Sequence, residues 1–202
     1  EVFRERFAGS PLKDVVLRHG AATARGDLMV TADGIEGGPV YALASALRAR
    51  LEHEPTAIVE IDLFPDATTA EVEARLARRR TKDSVATGLR RAGLPPVAAG
   101  LLREATGNRI PDDAADLGRL LRSLPVVLTA TRPIERSIST AGGIALDALD
   151  DRLMLRARPG TFVAGEALDW EAPTGGYLLQ GAFSTGVAAA EGALAWLGTV
   201  QS

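Results

Sequence analysis

The most constraining stretch of this chain is RPGTFVAGEALDWEAPTGGYLLQGAFSTG, residues 158–186. A short apolar run, TFVAG, ends at Gly165-Glu166. Glu166, Asp169 and Glu171 then place three carboxylates within six positions. Paired glycines, Gly175-Gly176, follow, and after them an apolar sequence rich in small residues. This order predicts a buried strand, a polar loop and a buried helix. In open α/β sheets, ligands sit outside the carboxyl ends of the strands, and Glu166 falls at such an end. The first N–H groups of a helix lack intrahelical acceptors, and glycines let an electron-rich ligand approach them. The carboxylates have two readings: acid/base work, or loop solvation and capping.

The rest of the chain reads as three blocks. LKDVVLR and DLMVTA predict a hairpin within 12–32, with Gly20 to Gly26 as the connection. DGIEGG (33–38) is a turn, and Pro39 suits the first residue of a helix. Val40, Leu43, Ala44, Leu47 and Leu51 then recur with helical period. AIVEIDLF (57–64) alternates, with Val59, Ile61 and Leu63 on a core face and Glu60 and Asp62 on the other. Residues 66–124 are helical in character: Thr68 with Glu71 forms a capping box, Ser84 and Pro95-Pro96 start helices, and Gly107 stops one. Arg78-Arg79-Arg80 reads as a solvated helix end, with an anion site as the alternative. Leu117, Leu120, Leu121 and Leu124 form a stripe that ends before Pro125. From there VVLTATR, SISTAGGIAL, RLMLRA and TFVAG predict strands, closed by a helix from about Gly176 to Leu197. On that helix Leu179, Phe183, Val187, Ala190 and Leu194 define the packing side, and Ala182, Gly186 and Ala189 permit close approach of a neighbour. The division predicted is 1–65 β-rich, 66–124 helical, and 125–202 return strands with the closing helix.

Composition removes several classes of chemistry. The 202 residues include no cysteine, so disulfides, thiol nucleophiles and zinc-thiolate sites are excluded. The two histidines, His19 and His53, lie far apart without ligand spacing, so no metal is expected. Net charge of −3 gives no nucleic-acid footprint. No run of about 18 apolar residues spans a membrane, and no secretory leader opens the chain, which leads to a cytoplasmic expectation. The chain opens at Glu1, without an initiator Met, inside what reads as an ordered element, so a preceding segment of a longer protein is expected. No GxxxxGK or GxSxG occurs, and no two glycines are separated by a single residue, which rules out GxGxxG within this sequence.

Taken as a clamp, the 158–186 segment offers a carboxylate for sugar-like hydroxyls and helix N–H groups for a carbonyl or phosphate; a flavin with its ribityl chain fills both. At these residues the chain resembles a known family. TAGGI (140–144), the preceding TATRPIERSIST, and AGE-x-LD-x-x-x-PTGGY-x-LQ are similar to the C-terminal half of the HI0933-like (also called BaiN-like) FAD/NAD(P)-dependent oxidoreductases. SPLKDVVLR and GDLMVTADGIEGGPVYAL resemble that family's inserted domain. The resemblance implies an α/β fold with α+β character: a partial FAD-binding domain, strand–loop–helix, plus an inserted β-rich and helical subdomain. It implies FAD as cofactor, NAD(P)H as donor, and a small-molecule acceptor. From charge and apolar pattern, neither nucleic acid nor membrane is expected as a partner. The partner the resemblance requires is an N-terminal dinucleotide-binding segment carrying GxGxxG. By the same resemblance, Gly165 and Glu166 lie at the flavin ribityl or pyrophosphate. Gly175, Gly176, Tyr177, Leu178 and Leu179 line the pyrimidine end, and Thr140, Ala141, Gly142 and Gly143 form a second loop beside the flavin. No catalytic acid or base is identified. Two other readings remain open: a cofactor-free structural or interaction module, and an RNA-modifying flavoenzyme relative, which the charge disfavours.

Overall fold

Strands β1 (Ser10–His19) and β2 (Ala22–Val30) pair antiparallel around a two-residue turn, Gly20-Ala21. Gly20 has φ +57°, a left-handed value suited to the first central position of such a turn, so the chain reverses well before Gly26. The connection expected over Gly20 to Gly26 is therefore mostly strand. One residue is extra in β1: Leu12 faces Leu28, yet Val15 faces Gly26. Asp14, at φ +51°, absorbs this bulge, and its N–H donates to Asp27 Oδ1 at 3.0 Å. Arg25 holds the Asp14 carboxylate through bonds of 2.7 and 2.8 Å and also reaches Asp66 at 2.6 Å. Lys13 meets Asp27 at 2.5 Å.

The computed structural model describes residues 2–79, 82–137, 139–172 and 175–200. They form two compact units, Glu1–Thr131 and Arg132–Ser202. In the first, a short helix α1 (Val2–Phe7) precedes a five-stranded sheet completed by β3 (Ile35–Glu36), β4 (Ala57–Asp62) and β5 (Leu124–Leu128). The strand order is β3-β2-β1-β4-β5, and every neighbouring pair is antiparallel. Helix α2 (Gly38–His53), opened by Pro39, brings Leu43 and Leu47 into one core cluster with Leu17, Leu28 and Val59. Between β4 and β5 run α3 (Thr69–Ala77), α4 (Val85–Arg91), α5 (Pro96–Thr106) and α6 (Ala114–Arg122). Their Val72, Leu89, Leu102 and Leu121 join the same core cluster as the strands. Antiparallel sheet and segregated helices make this an α+β fold, as the resemblance implies.

The helix ends follow local chemistry. Thr68 and Glu71 cap each other, Ser84 accepts from Thr87 N–H, and Gly107 ends α5 in the left-handed conformation. Asp113 caps α6 through the Ala115 and Asp116 N–H groups. Leu124 opens β5 rather than closing the stripe of α6. Proline disfavours helix in the residue before it, and Pro125 is tolerated because β5 is an edge strand. In the arginine run Arg78 is exposed and Arg79 bonds Asp112 at 2.9 Å; Arg80 lies outside the described residues.

Asp62 departs from expectation. Alternation assigns it to the outer face with Glu60, yet it is 1% exposed. Arg18 of β1 and Arg122 at the end of α6 cover it, with N···O distances of 3.3 and 3.5 Å, and its Oδ1 accepts the Phe64 N–H at 2.9 Å. Two arginines and a backbone donor make the burial of that charge tolerable.

Among its described residues the second unit contains no regular strand. SISTAGGIAL, RLMLRA and TFVAG supply only isolated bridges, Ile144 to Leu168, Leu149 to Leu155 and Met154 to Phe162; Ile138 lies outside the described residues. Tight turns take the backbone groups that a ladder would need. Leu153 N–H donates to Asp150 O, Arg158 N–H to Leu155 O and Thr161 N–H to Arg158 O, and the Asp150 carboxylate accepts from the Arg152 and Met154 N–H groups. Leu149, Val163 and Leu168 form a small core with Ile144, Leu153, Leu155 and Trp170 packed against it.

The closing helix α7 (Tyr177–Val200) packs opposite to expectation. Phe183 and Leu194 are 64% and 71% exposed, and Leu179 and Val187 are exposed with them. The buried side is the small-residue side. The Trp170 ring lies on Gly181, and Phe162 and the Arg152 backbone lie on Gly192. Gly186, expected at a close approach, has open space where a Cβ would stand. Among the described residues no helix is long and apolar enough to cross a membrane.

Three outcomes are expected. Asp14 is held below the usual carboxylate range chiefly by its hydrogen bonds from Arg25, and Asp27 by that from Lys13. Backbone and hydroxyl donation from Thr68 does the same for Glu71. Because these folded values are depressed, their contribution is present above the unfolded carboxylate range and declines as pH falls through it, from about pH 4 downward. The urea midpoint should fall between pH 6 and pH 3, and less steeply in D14N. Second, D62N removes the charge between two arginines and should cost about 2 kcal/mol, read from the urea midpoint at neutral pH; both arginines are partly exposed, which tempers the loss. Third, G181A should destabilise the second unit by about 1–2 kcal/mol, since overpacking against Trp170 outweighs the roughly 1 kcal/mol gained in helix propensity. G186A should be neutral or stabilising. Both tryptophans, Trp170 and Trp196, belong to this unit, so tryptophan fluorescence during unfolding reads it directly.

Candidate functional site

Two loops of the second unit meet through backbone groups. The Thr140 N–H donates to Glu166 Oε1 at 2.9 Å, and the Thr140 hydroxyl lies 3.4 Å from the same oxygen. Ile144 N–H donates to Ala167 O at 2.8 Å, and Asp169 N–H returns to Ile144 O at 2.9 Å. These bonds form the parallel bridge between Ile144 and Leu168. Gly143 is pressed against this joint: a Cβ there would stand 2.8 Å from Ala167 O and 2.9 Å from Asp169 N. Only glycine fits that close approach, which accounts for its place in TAGG.

Glu166 is placed differently from the expected strand end. Gly165–Ala167 is a single 3-10 turn, closed by Leu168 N–H to Gly165 O at 3.1 Å. Gly165 enters the turn at φ +66° and donates its N–H to Thr185 Oγ1 of α7 at 2.9 Å. The Glu166 carboxylate itself is exposed.

Helix α7 supplies the third part. Gln180 N–H donates to Gly176 O at 2.9 Å, so the N–H groups of Tyr177, Leu178 and Leu179 precede the first helical donor. No acidic residue stands in this first turn, and the positive end of the helix dipole suits an electron-rich group. Gly175 and Gly176, at φ +126° and +90°, are exposed. Pro173 and Thr174 of the expected PTGG loop lie outside the described residues. Gly165 packs beside Ala182, five residues along from Tyr177, a rise of about 7.5 Å at 1.5 Å per residue.

The structure thus brings Thr140, Gly142 and Gly143 together with Gly165 and Glu166, and backs them with the helix that begins at Tyr177. Ala141 is exposed in the loop, Leu178 is half-buried, and Tyr177 and Leu179 are exposed. Trp170 packs onto α7 and gives no polar group to the site. Sequence reasoning misses Thr185. The available signal is a hydroxyl four residues after a helix glycine, Gly181, on the side that the apolar stripe does not use. Chemically the arrangement can accept from a hydroxyl at Glu166 and donate to a carbonyl at the start of α7, along an open wall rather than inside a closed cavity.

Comparison with known proteins supplies a family for the chain. Residues 1–139 match the family described as the HI0933-like protein barrel and H2TH domain. The chain is 27% identical over 179 residues to the 3-dehydro-bile acid delta(4,6)-reductase of Clostridium scindens. That match covers 83% of this chain and 44% of the reductase, so the chain spans less than half the length of this relative. With the family match extending over more than two thirds of its residues, the chain belongs to the HI0933-like family.

Proposed function

We propose that this chain is the flavin-closing portion of an FAD-dependent oxidoreductase that takes hydride from NAD(P)H and reduces a small-molecule acceptor in the cytoplasm. Bound FAD would supply the electron transfer; this chain supplies position and polarity. Glu166 accepts from a ribityl hydroxyl. The N–H groups of Tyr177, Leu178 and Leu179 donate to a carbonyl at the pyrimidine end, with Gly175 and Gly176 leaving room for the ring. Gly142 and Gly143 keep the Thr140 loop low against Glu166, so the carboxylate stays directed to one side. The observation that carries this reading is the bond from Thr140 N–H to Glu166 Oε1, which joins the two glycine loops on one helix.

The other half of such a site is a dinucleotide-binding segment with GxGxxG. The exposed apolar side of α7, with Phe183, Val187 and Leu194, is a surface suited to it. The reductase name of the relative supports a redox role, and its greater length is consistent with a further segment. That same exposed side also suits a cofactor-free interaction module. Visible absorbance of the protein purified together with that segment separates the two: a flavin spectrum supports the oxidoreductase, and a colourless folded protein that ignores added FAD supports the module.

In the flavin-loaded protein, E166Q keeps an oxygen for the Thr140 N–H but removes the charge. The Kd for FAD should rise about tenfold, the loss of one charge-assisted hydrogen bond. Unchanged retention of FAD would remove Glu166 from the site.

A further inference from the structure

One polar group of the second unit has no part in the proposed contacts yet holds them in place. Thr185 is half-buried on α7. Its hydroxyl donates to Gly181 O at 2.6 Å and accepts the Gly165 N–H at 2.9 Å. A hydroxyl can donate once and accept at the same time, so both bonds coexist. Gly165 directly precedes Glu166 and is left-handed at φ +66°, a setting glycine adopts or leaves at little steric cost. Something outside the loop must therefore hold that peptide, and the Thr185 hydroxyl does. The far end of Glu166 is held separately, by the Thr140 N–H at Oε1. The carboxylate is thus fixed from two directions, its backbone by α7 and its side chain by the 140–143 loop.

We propose that Thr185 is the positioning residue for Glu166. It never touches the ligand. It locks the Gly165–Ala167 turn to α7 and so sets where the Glu166 carboxylate stands relative to the start of that helix. The inference rests on the reading of Glu166 as the ribityl-binding carboxylate. Thr185→Val keeps the side-chain shape, deletes the acceptor and leaves the Gly165 N–H to find another partner, which turns the loop.

The test is a double-mutant cycle on the flavoprotein that carries this chain. The Kd for FAD is measured by quenching of flavin fluorescence in T185V, T185S, E166Q and T185V/E166Q, with circular dichroism giving the folded fraction. T185V should raise the Kd about tenfold, since a hydrogen bond to a placed charge is at stake, and T185S should restore it. The double variant should bind no more weakly than E166Q, because both changes remove the same placed carboxylate. Additive losses, wild-type affinity in T185V, or failure of T185S to rescue would each overturn the proposal while leaving Glu166 in its role. Wild-type affinity in E166Q would instead sink the functional reading, and the proposal with it. T185A, smaller and free of strain, carries the same test if T185V folds poorly.

Discussion

Helix α7 packs with the residues that carry the least side chain. Trp170 rests on Gly181, Phe162 and the Arg152 backbone rest on Gly192, and Gly165 sits beside Ala182. Nearly every feature of the second unit follows from that approach. The loop at 165–169 comes close enough to α7 for Gly165 N–H to reach Thr185, and the 140–144 loop is bonded to 165–169 in turn. The cost is apolar surface. Burying a Leu, Val or Phe side chain fully is worth about 1.5–3 kcal/mol, and α7 leaves Leu179, Phe183, Val187 and Leu194 outside. The core that remains, Leu149, Val163 and Leu168 with their neighbours, is small.

The candidate site is accordingly made of backbone more than of side chains. Apart from Glu166 and the Thr140 hydroxyl, the groups available to a ligand are N–H groups at the start of a helix and glycines at positive φ. In the proposed function such a surface would recognise carbonyls and hydroxyls by geometry. It suits a cofactor whose own chemistry does the work. The first unit solves a different problem, with one buried carboxylate, Asp62, joining β1, β4 and the end of α6 through two arginines.

Local chemistry was legible at most points where a helix starts or stops. The Thr68–Glu71 box, the Ser84 cap, Pro39, Pro96 and Gly107 all act within four residues of themselves, and all stand where their neighbours require. The β1–β2 hairpin was legible for the same reason. Strand character between 139 and 165 was not. β-rich composition states only that a segment tolerates extension, while a strand needs a neighbour to complete its hydrogen bonds, and here turns and the Asp150 carboxylate took those groups. The side on which α7 packs was also hidden. Periodicity locates an apolar stripe but does not say whether this chain covers it.

Within the site, Glu166, Thr140 and the glycines were visible as types at fixed spacing, whereas their contact was not. Twenty-six residues separate Thr140 from Glu166, and no local rule brings them together. The sequence alone determined most of the helix ends, the hairpin and the mixed α+β class, because each depends on residues a few positions apart. Only the tertiary structure decided that Asp62 is buried, that Thr185 holds the Glu166 loop, and that α7 turns its glycines inward and its large side chains out. Those outcomes depend on which distant surfaces approach closely enough to exclude a side chain.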